Sequence, residues 1–160
     1  LGSDADTALK VRLEKNTNEI PVVVQGTAAV AALRAVGCHK PTLIHPPWWP
    51  NILDESAVNY FRGQGFDVTE HKVAKIPSCK GEVDAAKLAL WIEENVSVES
   101  DSVFLGGSGF RTIGILELLE SKLHRPVISA NQAAFWYSIQ LTGISDNLAK
   151  YGKLFSSTLS

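Results

Sequence analysis

Short apolar runs alternate with stretches of helical periodicity along nearly the whole chain, and this alternation limits the possible folds more than any other feature. Residues 20–24, 42–45, 66–73, 102–105 and 127–129 read as strands. Predicted helices cover 4–17, 27–36, 51–64, 81–95, 112–123 and 131–141. Thr27 is the expected cap of the second of these, and Gly37 and Gly65 are expected to close the second and third. Strands separated by helix-length segments pair in parallel, because each return to the same edge of the sheet needs a crossover. Val22–Val24 and Val103–Leu105 are apolar without interruption, which suits strands covered on both faces. The expected fold is α/β, a doubly wound parallel sheet with helices on both faces. Such sheets bind ligands beyond the carboxyl ends of their strands, so the loops after His45, Leu105 and Ser129 are where function is expected.

The chain's 160 residues suffice for one well-buried domain and not for two full α/β lobes. A formal charge of −2 supplies no field to attract nucleic acid or an anionic membrane, so the expected partner is a small molecule. Neither a membrane span nor a signal peptide is recognisable, making the cytoplasm the expected location. Cys38 and Cys79 lie far apart with no second cysteine at ligand or redox spacing, so no metal is expected. The chain contains no methionine, so Leu1 is not expected to be a translation start and an upstream segment is expected.

Two segments carry most of the chemical signal. In the first, the strand 102–105 enters Gly106-Gly107-Ser108-Gly109-Phe110, expected to open directly into a helix at Thr112. Glycines allow tight bending, and amide hydrogens gathered where a helix begins favour a carboxylate or phosphate. The turn lacks the GK[ST] ending of a P-loop, the third glycine of GxGxxG and the GxSxG pattern. A purely structural tight turn is the competing reading. In the second segment, His45-Pro46-Pro47-Trp48-Trp49-Pro50, three prolines stiffen a loop holding two large rings near the same edge. Trp48 and Trp49 either line a pocket, or cover the end of the core or meet a partner subunit. His45 has the pKa range of a proton carrier, but no partner acid is identifiable, so a structural histidine is the competing reading. His39, His71 and His124 read as solvated, Asn131 as a helix cap, and Glu93, Glu94, Glu117 and Glu120 as exposed helix faces. Phe135-Trp136-Tyr137 reads as core and interface. The tail after Gly143 has weak periodicity and either docks on the domain or frays.

Residues 102–112, Leu116 to Leu119, 125–133 and Trp136 together resemble the C-terminal lobe of maleate cis-trans isomerases and arylmalonate decarboxylases, of the aspartate/glutamate racemase superfamily. The likeness extends upstream through 20–23, 28–37 and 61–68. The resemblance implies one lobe of a two-lobed racemase-like fold: 1–37 as the end of the N-terminal lobe or a linking helix-strand-helix, 38–143 as the C-terminal lobe, and 144–160 as a tail. It implies a small carboxylate or dicarboxylate substrate, an enediolate-type or covalent cysteine mechanism without cofactor, and association with another copy or a missing lobe. It also places the second-lobe cysteine position at Gly107, a residue that can be neither nucleophile nor acid. Ser108 is left as the candidate side chain there, and Gly106 to Phe110, His45, Trp48 and Trp49 as the expected binding residues. The resemblance leans towards an isomerase, racemase or decarboxylase. A catalytically silent carboxylate-binding or regulatory module is the alternative, and a nucleotide-binding Rossmann-like domain is a weaker third option.

Overall fold

The computed structural model describes residues 2–18, 20–77, 83–144 and 148–159. Cys79 and the expected helix start at Gly81 lie outside them. The centre is a four-stranded, wholly parallel sheet in the order β2-β1-β3-β4, with β1 Pro41–His45, β2 Glu70–Val73, β3 Ser102–Leu105 and β4 Val127–Ser129. Among the described residues six α-helices surround it: α1 Ser3–Asn16, α2 Gln25–Ala35, α3 Asn51–Gly63, α4 Ala85–Asn95, α5 Leu116–Leu123 and α6 Ala130–Thr142. None of the described helices is long and apolar enough to cross a membrane.

Alternation along the strands divides the core in two. Leu43, Phe104 and Ile128 face α2, α3 and α6, where Leu33, Phe61 and Trp136 complete one cluster. Ile44, Val103, Leu105 and Val127 point the other way, against Leu88 and Ile92 of α4 and Leu116 and Leu119 of α5. Both faces are therefore covered, as the uninterrupted apolar run Val103–Leu105 required. After β1 the chain steps to β2 on one side, then returns past β1 to β3 on the other. With right-handed crossovers this reversal puts α3 and α4 on opposite faces and opens a crevice above the carboxyl ends of β1 and β3.

Several local expectations are corrected. Residues 20–24 form no strand: the segment is extended, and the Val22 amide donates to Glu14 Oε1 at 3.1 Å rather than to a neighbouring strand. Pro21 offers no donor at all, so the apolar run connects α1 to α2. The second helix begins at Gln25, which leaves Thr27 inside its first turn with Val24 at the cap position. Residues 66–69 precede β2 as a linking segment that buries Phe66 and Val68. Glu120 is buried: Oε1 accepts the Val127 amide at 3.1 Å and Oε2 the Lys153 amide at 2.8 Å. Burial pushes its pKa up against those two bonds.

The tail docks. Residues 149–151 and 153–156 form short 3₁₀ turns, Leu154 is fully buried beside Trp136, and the Trp136 indole donates to the Ser157 carbonyl at 3.1 Å. Trp136 is thus core, while Phe135 beside it on the helix is exposed.

Candidate functional site

The loops after β1 and β3 meet at the crevice and interlock residue by residue. The Gly106 amide donates to the Ile44 carbonyl at 2.8 Å, carrying the pairing of the two strands one step beyond the sheet. A Cβ on Gly106 would collide with the His45 ring. One on Gly107 would stand 2.6 Å from Pro46 Cγ, and one on Gly109 2.6 Å from Trp48 Cζ2. Each glycine yields its side-chain space to one residue of the proline-tryptophan loop. Only Gly107 also needs glycine for its backbone, at φ +80°.

The turn does not open directly into a helix. Residues 110–115 intervene and α5 starts at Leu116, so the amides of the glycine turn receive no help from that helix dipole. The Phe110 side chain turns away, buried in the α4/α5 core with its ring edge-on to Trp48 at 5.9 Å. Ser108 is exposed, and its carbonyl accepts Asn131 Nδ2 at 3.0 Å. Asn131 therefore ties α6 to the glycine turn instead of capping it. The cap is Ser129, whose side chain accepts the Gln132 amide while Gln132 reaches back to the Ser129 amide.

His45 ends β1 with its side chain 1% exposed, and its Nδ1 lies 2.5 Å from Asp54 Oδ1. Trp49 stacks on the ring at 4.6 Å between centroids and 17° between planes. The second Asp54 oxygen, Oδ2, holds His71 Nδ1 at 2.6 Å, so His71 is not simply solvated. A carboxylate only accepts, so both imidazoles donate from Nδ1, and neutral His45 keeps its lone pair on Nε2. Burial lowers the pKa of His45, and the Asp54 carboxylate works against that shift. Sequence reasoning missed this partner. Asp54 lies one turn into the helix that follows the histidine's own strand, which is the only sequence signal that could have suggested it.

Above these groups lies a cleft of about 700 Å³. Gly106 to Gly109, His45, Trp48 and Trp49 line it, as do Asp6, Gln25, Gly26 and Tyr60, with Phe104 and Ala130 also at its wall. Beside α2, Asp6 Oδ2 lies 2.6 Å from where a Gly26 Cβ would stand, with the Tyr60 hydroxyl at 2.8 Å. Burial and the Asp6 carboxylate push the Tyr60 phenol up to about 12. The cleft wall therefore includes a carboxylate beside Gly26 and a glycine turn packed against aromatic rings. Cys38 lies outside it, beside Ser102 where β3 begins, with Sγ 2.7 Å from the Ser102 hydroxyl, and burial pushes its thiol up to about 12. Among the described residues, no group of three or more metal-binding side chains comes together.

Comparison with known proteins agrees with this architecture. The sequence profile of a family described as arylmalonate decarboxylase matches residues 1–155. An arylmalonate decarboxylase from Bordetella bronchiseptica is 25% identical over 159 residues, covering 96% of this chain; the chain spans 65% of that protein's length. A crystal structure of arylmalonate decarboxylase superposes with a TM-score of 0.87 at 24% identity, covering 97% of this chain and 69% of its own. The maleate isomerase Iso from Pseudomonas putida S16 superposes with a TM-score of 0.83 at 21% identity, covering 94% and 61%.

Proposed function

The chain belongs to the arylmalonate decarboxylase family, and from this we propose that its cleft performs chemistry next to the carboxylate of a small carboxylate or dicarboxylate, decarboxylation or isomerisation through an enediolate and without a cofactor. The observation that carries this reading is the polarity of the cleft. Asp6 beside Gly26 repels an anion, while the turn 107–109 beside Trp48 and Trp49 is where backbone amides would receive one, the Gly106 amide being already donated to Ile44. A carboxylate placed on those amides would leave an aryl or alkyl substituent against the indole rings. Removing carbon dioxide or an α-proton, or adding a nucleophile to the double bond of maleate and later expelling it, shifts negative charge onto the remaining carboxylate oxygens, where preorganised donors stabilise it. One well-placed donor of this kind is worth about 3 kcal/mol in the transition state.

Gly107 stands at the family's second cysteine position in this reading, so a sulfur nucleophile would have to come from another lobe or another copy. Under the same proposal the protein works in the cytoplasm, residues 38–143 form the C-terminal lobe, residues 1–37 lead into it and 144–160 close it. A second reading, a binding or regulatory module without turnover, is favoured by one observation: Pro46 and Trp49 fill the space that a side chain on Gly107 would need. Calorimetry with phenylmalonate and maleate, run beside an assay for released carbon dioxide and for fumarate, tests both. Heat with product supports the enzyme, heat without product the module. Absence of heat with either compound removes the carboxylate site.

A further inference from the structure

We propose that His45 is the acid–base residue of this cleft, exchanging the α-proton of an enolisable carboxylate at its Nε2, and that Asp54 is its positioning residue. The inference rests on the carboxylate reading of the cleft and names the group that would move the proton there.

Elimination starts the argument. Gly107 has neither a side chain nor the room for one, with its Cβ position 2.6 Å from Pro46 Cγ. The titratable side chains lining the described cleft are Asp6, His45 and Tyr60. Asp6 and Tyr60 stand together at Gly26, none of the nearest atoms to the glycine-turn Cβ positions belongs to either, and the Tyr60 phenol is pushed up to about 12. His45 is packed on the glycine turn itself: its Nε2 lies 2.9 Å from where a Gly106 Cβ would stand, against the backbone of the turn assigned to the carboxylate.

The surroundings of the ring then fix which nitrogen can act. Asp54 engages Nδ1 at 2.5 Å, which leaves Nε2 as the basic nitrogen in the neutral ring and stabilises the imidazolium once Nε2 is protonated. His71 holds the other oxygen of Asp54 at 2.6 Å, and Trp49 stacks on the His45 face, so carboxylate and ring are both held in place. In the proton-abstracting direction the Nε2 lone pair forms the N–H bond and the C–H bond breaks. Its electron pair passes into the carboxylate, giving an enediolate whose charge faces the amides of the glycine turn. The reverse step returns the proton to carbon and the ring to its neutral form, so no other reactant is consumed.

The test follows the α-proton signal of 2-phenylpropionate in deuterium oxide by proton NMR, with binding of the same compound measured by calorimetry. The full chain is expected to bind it and to exchange the α-proton. His45→Gln is expected to keep the dissociation constant within about threefold and to lose exchange by about 100-fold or more, the size of a general-base contribution. Asp54→Asn is expected to lower the exchange rate with an unchanged apparent KM. Binding by the wild-type chain without exchange, or exchange by His45→Gln at the wild-type rate, overturns the proposal while leaving the carboxylate reading intact. Failure of the wild-type chain to bind overturns both. Nitrogen NMR of the histidine rings in the wild-type chain needs no variant: a neutral His45 protonated at Nε2 instead of Nδ1 overturns the assignment even if His45→Gln does not fold.

Discussion

Asp54 holds two imidazoles on one carboxylate, 7% exposed, and this cluster sets the pH behaviour expected of the fold. Asp54 and His71 are the titratable groups acting on His45, and burial still lowers its pKa. The unfolded chain therefore binds a proton at His45 more readily than the folded chain does. Stability is full above the ordinary histidine value of about 6.5 and falls as the pH drops from there towards the lowered folded value. Urea unfolding across that range is expected to show this slope, and His45→Gln is expected to flatten it. Gly107 makes a second prediction at the residue scale. Cysteine there meets a φ of +80° and the Pro46 ring together. Gly107→Cys is expected to cost about 1–3 kcal/mol, read as a fall in thermal midpoint. Adding Pro46→Ala should restore the steric part of the loss and leave the backbone part. Neither His45 with its acid nor Gly107 with its proline was legible as a pair in the sequence, because each partnership joins loops or elements through space.

Among the elements, capping separates what sequence suggests from what geometry selects. Ser129 and Asn131 are both capping residue types at the start of α6, and the sequence reading chose Asn131. The reciprocal bonds between Ser129 and Gln132 show that the helix starts one residue earlier, while Asn131 points to the Ser108 carbonyl. Ser129→Ala is therefore expected to cost about 1 kcal/mol of stability. Asn131→Ala should cost less stability and instead loosen the glycine turn, measurable as weaker carboxylate binding with little change in urea midpoint. Residues 20–24 illustrate a related limit. Their β-branched composition favours an extended backbone, which they adopt, but a strand exists only where a neighbour accepts its hydrogen bonds, and here Glu14 takes the Val22 amide.

On the scale of the whole molecule, the tail is part of the domain. Leu154 is fully buried in the cluster that also contains Trp136 and Leu33. Leu154→Ala is expected to cost about 2–5 kcal/mol, visible in the urea midpoint, and to expose Trp136 to solvent as a red shift of its fluorescence. Weak periodicity hid this, since short 3₁₀ turns leave no helical pattern to detect. The sequence by itself determined the fold class. Alternating apolar runs and helix-length spacers permit only parallel strands with crossovers, and burial on both faces follows from the uninterrupted apolar run of β3, whereas β2 is polar and only partly buried at the sheet edge. It also pointed to the loops after β1 and β3 as the walls of a cleft, because the carboxyl ends of a doubly wound sheet are where a crevice opens. The tertiary structure alone decided what those loops do for each other. Side-chain space at Gly106, Gly107 and Gly109 is taken by a residue about 60 positions away in sequence, and a carboxylate in the next helix engages Nδ1 of His45. Such pairings depend on the ångström-level distance between two loops, and local propensity, which acts over a few neighbouring residues, carries no record of it.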